Sequence, residues 1–378
     1  MHKYFKIMLL LLLLLVALVI LYYNHPIVKS IIFNFPSQSD KEMFKKEYIY
    51  PASTPYRFKN SSKQLNYGET IILDDWYKED ASKKKLKDFV EMHNTNAILI
   101  VKDDIIVYEQ YGEDFDKNSF FTSYSLSKSF LSVLIGIAIE EGDINNVNEV
   151  ITCYLPSLKN KSKFENVKIS HLLNHTSGIK TNFITDAYMY YGRNIENVIE
   201  KLSIEREPGT FQKYQNINAL LLGMILTNAT GMNNAKYLEK KIWKKIGTES
   251  EAYWSTYEDS TYQKSFCCIN AKIEDFAKFG RLMLNRGYWN EEKVIPESWI
   301  DDILKRDTSG GSSWAYNKSW YMGLELYGDF MAIGLYKQFI YISPYKNVVI
   351  VRLGEREPKL KEEKARWARV FREIVDQL

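Results

Sequence analysis

The ten residues from Phe130 to Ile139 read FLSVLIGIAI. Phe130, Leu131, Val133, Leu134, Ile135, Ile137 and Ile139 fall on every side of a 3.6-residue helix, and a helix without a polar face is a buried one. The chain must therefore supply packing layers all round this element. With 378 residues, 46% hydrophobic and 26% charged, it has the length for one large domain or two ordinary ones and a globular balance. A net charge of +3, mixed along the chain apart from Lys83 to Lys85, is too small to argue for a nucleic-acid partner. Cys153, Cys267 and Cys268 do not make a disulfide scaffold, and the adjacent pair would join only with strain. Five histidines limit histidine chemistry in advance.

The N-terminus is the second constraint. "MHKYFK" is basic, and Ile7 to Leu21 is unbroken apolar sequence extended by Tyr22 and Tyr23. These 17 residues at about 1.5 Å rise span roughly 26 Å, close to the hydrocarbon thickness of a bilayer. A cleaved signal peptide would want small residues at its cleavage site, but the run ends in LYYNHP and the alanine after Ala17 is Ala52. No cysteine follows for lipid attachment. The expectation is an uncleaved anchor over residues 1–25. Lys3 and Lys6 precede it and only Lys29 follows closely, so the rest of the chain belongs across the membrane, outside the cytoplasm.

Residues 26–76, with Pro36, Pro51 and Pro55 among polar residues, read as a stalk or N-terminal extension. The main domain is expected over 77–378. Asp80 to Asn96 has Leu86, Phe89 and Val90 on one helical face. Ala97 to Gly112 reads as two strands around a turn at Lys102 to Asp104. The helix through Phe130 stops near Gly142. Residues 145–307 read as mostly helical, including INALLLGMILTNATG, closed by Gly231, and Asn270 to Trp289. KQFIYIS and NVVIVRLG flank the turn Pro344 to Asn347, and Lys359 to Leu378 forms a last helix. Strands near both ends suggest one sheet built from the two halves of the chain, with a helical lobe beside it.

At the start of the apolar helix stands SYSLSKSF. Ser125 and Lys128, three apart, share one helical face. A serine hydroxyl is a poor nucleophile until a neighbouring base takes its proton. A lysine can be that base when burial depresses its pKa. The helix N-terminus offers N–H groups to a developing oxyanion. The plainer alternative is a serine-rich helix start with Lys128 reaching solvent. The spacing alone is weak, since Ser82/Lys85, Ser177/Lys180 and Ser343/Lys346 share it. Tyr214-Gln215-Asn216 precedes another buried helix. A phenol beside an ammonium can shuttle protons, and the Asn216 amide can meet a substrate carbonyl. The alternatives are an aromatic at a helix start and an N-cap.

Taken in order, SLSKSF, HLLNHTSGI, EPGTFQKYQNINALLLGMI and CCINAKIEDFAKFGRLMLNRG resemble the serine hydrolases related to class C β-lactamases. The likeness is strongest to the branch with esterases and 6-aminohexanoate-dimer hydrolases, in the wider penicillin-binding transpeptidase superfamily, and covers about Ala97 to Gly354. It implies Ser125 as the acylated nucleophile, Lys128 as its partner, Tyr214 as general acid/base and Asn216 as a site residue. The implied fold class is α/β (α+β): an antiparallel sheet flanked by terminal helices, with an all-helical lobe and the site between them, here preceded by one transmembrane helix.

One departure bears on substrate. Penicillin-active members carry a Lys/His, Thr/Ser, Gly triplet on a late strand, where this chain has Ala332-Ile333-Gly334. The cation that would pair a substrate carboxylate is missing, with Lys337 nearby as a substitute. Gly334 allows close backbone approach, and the N–H of Leu335 could complete an oxyanion hole with that of Ser125. His171 and His175, four apart, form a two-histidine face without a third metal ligand by spacing; His175 is implied to sit in a structural turn, HTSG. Tyr188, Tyr190 and Tyr191 either line the cleft or pack on the lobe. No G-x-S-x-G elbow, P-loop or G-x-G-x-x-G is present. The expectation is a membrane-anchored serine hydrolase, without cofactor or metal, acting on a small-molecule or peptide ester or amide. A cell-wall D-Ala peptidase and an inactive binding protein are the alternatives.

Overall fold

The computed structural model describes residues 2–33, 36–61, 66–74, 83–355 and 363–378. Its centre is an eight-stranded sheet. In spatial order the strands are Tyr316–Asn317, Trp320–Met322, Phe330–Gly334, Gln338–Ser343, Val348–Gly354, Thr95–Lys102, Ile105–Tyr111 and Lys59–Asn60. Neighbours run antiparallel except Lys59–Asn60, which is parallel to Ile105–Tyr111. The two ends of the chain thus meet along Val348–Gly354 and Thr95–Lys102, as expected.

These strands read as near-continuous apolar runs because both faces are covered. Ala97, Leu99 and Val101 join one core while Ile98 and Ile100 join the other. The period of two along a strand sends alternate side chains to opposite faces. Leu86–Met92 and Glu363–Gln377 cover one face with Phe89, Trp367 and Phe371. The other face carries Leu126–Glu140 and Ile273–Leu284, whose Phe130 and Phe279 rings stack at 3.7 Å. The helix Leu126–Glu140 is buried from Leu126 through Ala138, as its all-round apolar sequence requires. The helix expected over Asp80 to Asn96 is observed at Leu86–Met92; residues 75–82 lie outside the described residues, and Asn94 takes a positive φ of 45° just after its end. The last helix is Glu363–Gln377, with 356–362 also outside the description.

Two expectations are corrected. The lobe over 145–307, mostly helical as its sequence reads, is not the all-helical lobe that the resemblance implies: Ala252–Thr256 and Ile269–Ala271 are strands of a second, four-stranded sheet. All five residues of Ala252–Thr256 are buried, so no alternation marked them, and their outer partner comes from far upstream in sequence. That partner is Lys45–Ile49, paired antiparallel from Lys45/Thr256 to Ile49/Ala252. The presumed stalk is therefore part of the body: Ile49, Phe58, Ile71 and Leu73 are all buried in it.

Ahead of the body, His2–Asn24 forms one helix of 23 residues, with Tyr4 to Leu15 exposed. Among the described residues no helix is long and apolar enough to cross a membrane. The side chains of residues 16–17, 20–21 and 23–24 lie outside that description. A second helix, Pro26–Ile32, follows after His25 alone.

Candidate active site

Ser125 stands at the N-cap of Leu126–Glu140, yet its side chain does not cap that helix. Its hydroxyl faces Lys128 instead. Lys128 is 2% exposed, and its Nζ donates to Ser125 Oγ at 2.8 Å, Asn216 Oδ1 at 3.0 Å and the Phe266 carbonyl at 2.7 Å. Three acceptors match the three hydrogens of an ammonium, so the head group is held at one point between two helices and a loop. The solvent-reaching alternative for Lys128 is thereby removed.

Tyr214 supplies the other wall. Its ring lies 5.1 Å from Lys128 Nζ, and its hydroxyl is hydrogen-bonded to the Ser125 side chain. The residue is 44% exposed through its ring, while its hydroxyl end is enclosed. Burial pushes that hydroxyl well above the usual phenol range, the neighbouring Tyr321 adds to this, and the bond to Ser125 pulls it back. Asn216 is the first residue of the buried helix Asn216–Thr230, with Gln215 as N-cap; its amide serves Lys128 rather than its own helix.

His175 holds this segment in place. It takes a left-handed φ of 58°, and its ring lies 4.4 Å from that of Tyr214. Its Nδ1 accepts from the Gln215 N–H at 3.3 Å and is 3.0 Å from Asn218 Nδ2. Two donors on Nδ1 place the proton on Nε2. Full burial, then the Lys128 charge, pull its pKa down to about 3, so the ring is neutral. His171 Nδ1 is occupied too, accepting from the Lys168 N–H at 3.2 Å. Among the described residues no group of three or more potential ligands could hold a metal.

Gly334 ends the strand Phe330–Gly334 against the turn that presents Ser125. A Cβ there would lie 2.6 Å from the Ser123 carbonyl, so glycine is needed for the strand end and the serine turn to touch. Leu335 follows, 41% exposed. Lys337 is 6% exposed, in a turn whose carbonyl accepts from Arg352 at 2.8 Å. The arrangement thus buries the cation that might have stood in for the third motif.

Tyr188, Tyr190 and Tyr191 belong to the helix Phe183–Tyr191, and their contacts are those of packing. Tyr188 Oη is 3.1 Å from His25 Nε2, Tyr190 Oη donates to Asp40 at 3.1 Å, and the Tyr191 ring lies 5.9 Å from Phe33. The same helix presents Asp186, which the sequence reading passed over. Partial desolvation raises its pKa, and the charges of Lys128 and then Lys213 lower it. No motif marks a single aspartate in a short helix. The Phe266 carbonyl was also missed, since a backbone acceptor leaves no signature in side chains. Next to it, the adjacent Cys267 and Cys268 are bonded to each other. Cys268 adopts φ of +75°, the backbone state that lets adjacent residues face one another.

The profile of the β-lactamase family matches residues 84–373. The chain belongs to the β-lactamase family. As a member it is a serine hydrolase, consistent with the serine, lysine and tyrosine gathered above. The 6-aminohexanoate-dimer hydrolase of Paenarthrobacter ureafaciens is 22% identical over 306 residues, 72% of this chain and 76% of that one. Penicillin-binding protein 4* of Bacillus subtilis is 27% identical over 43% of this chain and 39% of its own length. Among solved structures, a Bacillus anthracis protein assigned to the 6-aminohexanoate-dimer hydrolases superposes with a TM-score of 0.80 at 22% identity, covering 90% of this chain and 93% of that one. A class C β-lactamase gives 0.57 at 16% identity, covering 78% and 94%. At these identities the structural likenesses speak for the shared α/β β-lactamase/transpeptidase-like fold.

Proposed function

We propose that this β-lactamase-family hydrolase cleaves an ester or amide through a covalent acyl-serine. The observation that carries the reading is the hydrogen-bonded pair Ser125 Oγ and Lys128 Nζ at 2.8 Å, with the Tyr214 hydroxyl on the same oxygen. In this reading Lys128 enters the cycle as the neutral amine, its lone pair turned to the Ser125 hydroxyl, and Ser125 Oγ attacks the substrate carbonyl carbon as its proton passes to that amine. The oxyanion rests on the N–H groups of Ser125 and Leu335. Tyr214 returns the proton to the leaving alcohol or amine. Water then attacks the acyl carbon, gives its proton to the same amine, and releases the acid. Asn216 fixes Lys128 and offers its amide to the substrate.

The same proposal includes the N-terminal helix His2–Asn24 as a membrane anchor, with the catalytic domain outside the cytoplasm. The basic start of the chain and the unbroken apolar run from Ile7 to Leu21 in the sequence support it. A D-Ala peptidase reading draws on the likeness to penicillin-binding protein 4* but needs a cation for the peptide carboxylate, and Lys337 is buried. One labelling experiment separates the readings. A fluorophosphonate should add to the intact chain by mass and not to Ser125→Ala, while a penicillin should not label. Penicillin labelling would favour the peptidase, and labelling by neither reagent a binding protein. Hydrolysis retained by Ser125→Ala would remove the acyl-serine mechanism.

A further inference from the structure

The apolar side chains left in solvent are not scattered evenly. Two helices that pack on each other, Pro26–Ile32 and Phe183–Tyr191, carry Phe183 at 60% exposure, Ile184 at 51% and Ile31 at 67%; Ile32 and the adjoining Phe33 are also exposed. A cluster of large exposed apolar residues marks a contact surface. Its position in the chain says what the contact is. Pro26–Ile32 is separated by His25 alone from the apolar helix His2–Asn24, so whatever surface takes that helix is within reach of this patch. Docking on the body is specific: His25 meets Tyr188 edge-to-face at 5.7 Å, and Phe33 meets Tyr191.

The second helix of the pair also packs on Asn216–Thr230, the helix whose first residue accepts from Lys128. Ile184, Tyr188 and Tyr191 follow helical spacing along the side that meets His25 and Phe33. Asp186, on another side, feels the Lys128 charge. One short helix therefore touches both the N-terminal segment and the helix whose Asn216 holds Lys128. At the cleft itself Tyr214 is 44% exposed, and Phe211, three residues earlier in the chain, is 54% exposed.

We propose that Pro26–Ile32 and the start of Phe183–Tyr191 lie in the headgroup layer of a bilayer, and that the cleft takes its acyl substrate from there. The substrate class is an ester or amide whose carrier is an amphiphile held in the membrane. Amphipathic surfaces seat themselves at this depth by burying their apolar side chains at the headgroup boundary. This deepens the hydrolase reading and rests on it and on the N-terminal anchor.

The test uses the full chain with vesicles of phosphatidylcholine and phosphatidylglycerol. An environment-sensitive nitrobenzoxadiazole probe is placed at Ile31→Cys in a Cys153→Ser background, Cys153 being the free cysteine. Flotation of the chain with the vesicles checks the anchor, and a blue shift of the probe checks the seat. In parallel, Phe183→Ser/Ile184→Ser is assayed on 4-methylumbelliferyl butyrate in solution and on 4-methylumbelliferyl oleate carried in the vesicles. The expected result is flotation, a blue-shifted probe, a butyrate rate within about twofold of the parent and an oleate rate down by about tenfold. Flotation with an unshifted probe, or equal effects on both esters, overturns this inference and leaves the anchor standing. Failure to float overturns both. Absence of fluorophosphonate labelling at Ser125 overturns the hydrolase reading and the inference with it.

Discussion

Two groups meet Ser125 Oγ, Lys128 Nζ and the Tyr214 hydroxyl, and each can be removed one at a time. Tyr214→Phe takes away the hydroxyl bonded to Ser125 and keeps the ring that packs on His175 at 4.4 Å. A general acid/base lost in this way costs on the order of 10² or more in rate. The variant should therefore show an unchanged melting temperature and a kcat on an activated ester reduced by that factor; an unchanged kcat would reassign Tyr214 to packing. His175 acts differently, through position. Its pKa is pulled from 6.5 in a free side chain to about 3, so the unfolded chain binds its proton first as pH falls. The stability from neutral His175 is complete above about pH 6.5 and is lost progressively as pH drops toward about 3. Calorimetry at about pH 7 and about pH 5 should show the melting temperature fall, and His175→Gln should start lower and fall less between the two. A variant that falls as steeply as the parent would place the pH sensitivity elsewhere.

Between elements, the site depends on two close approaches that only glycine permits. Gly334 has been described at the strand end. Gly223, in Asn216–Thr230, sets that helix against the loop carrying Phe266: a Cβ would lie 1.9 Å from Ser265 Oγ and 2.6 Å from Asn234 Nδ2. Gly223→Ala must push helix and loop apart, and with them Asn216 and the Phe266 carbonyl, two of the acceptors that hold Lys128. Overpacking of this kind costs about 1–3 kcal/mol. A lowered denaturation midpoint together with a lowered ester kcat is the expected outcome; a kcat equal to the parent's would show that Lys128 keeps its place by other means. This scale also shows what was legible beforehand. Long apolar elements such as Leu126–Glu140 and Gln338–Ser343 were found from sequence, because burial on every side leaves a continuous apolar run bounded by turn residues. Ser125, Lys128, Tyr214 and Asn216 were singled out from spacings that are weak alone and from the resemblance of four sequence blocks taken together, and their side chains do meet. Asp186 and the Phe266 carbonyl were not, since one is a lone carboxylate and the other is backbone. Ala252–Thr256 was missed for a related reason: its strand character rests on Lys45–Ile49, about two hundred residues away in sequence.

For the molecule as a whole, the largest correction concerns where the folded body begins. A boundary near residue 77 would leave out Ile49, Phe58, Ile71 and Leu73, at 0%, 6%, 1% and 0% exposure. It would also strip Ala252–Thr256 of its antiparallel partner and the main sheet of its parallel edge strand Lys59–Asn60. Burying an aliphatic or aromatic side chain is worth about 1.5–3 kcal/mol, so these four together contribute about 6–12 kcal/mol. Total stabilities of folded domains are about 5–15 kcal/mol, so the loss is of the same size as what holds the body together. A chain beginning at residue 83 should therefore lack a cooperative thermal transition and should not be labelled by a fluorophosphonate. One beginning at residue 36 retains every one of these pairings and the Gln38 side chain that accepts from the Thr122 N–H at 2.9 Å, close to Ser125. It should unfold cooperatively and label at Ser125. Differential scanning calorimetry of the two chains decides the matter: a cooperative, labelled chain from residue 83 would restore the N-terminal segment to the role of a detachable stalk.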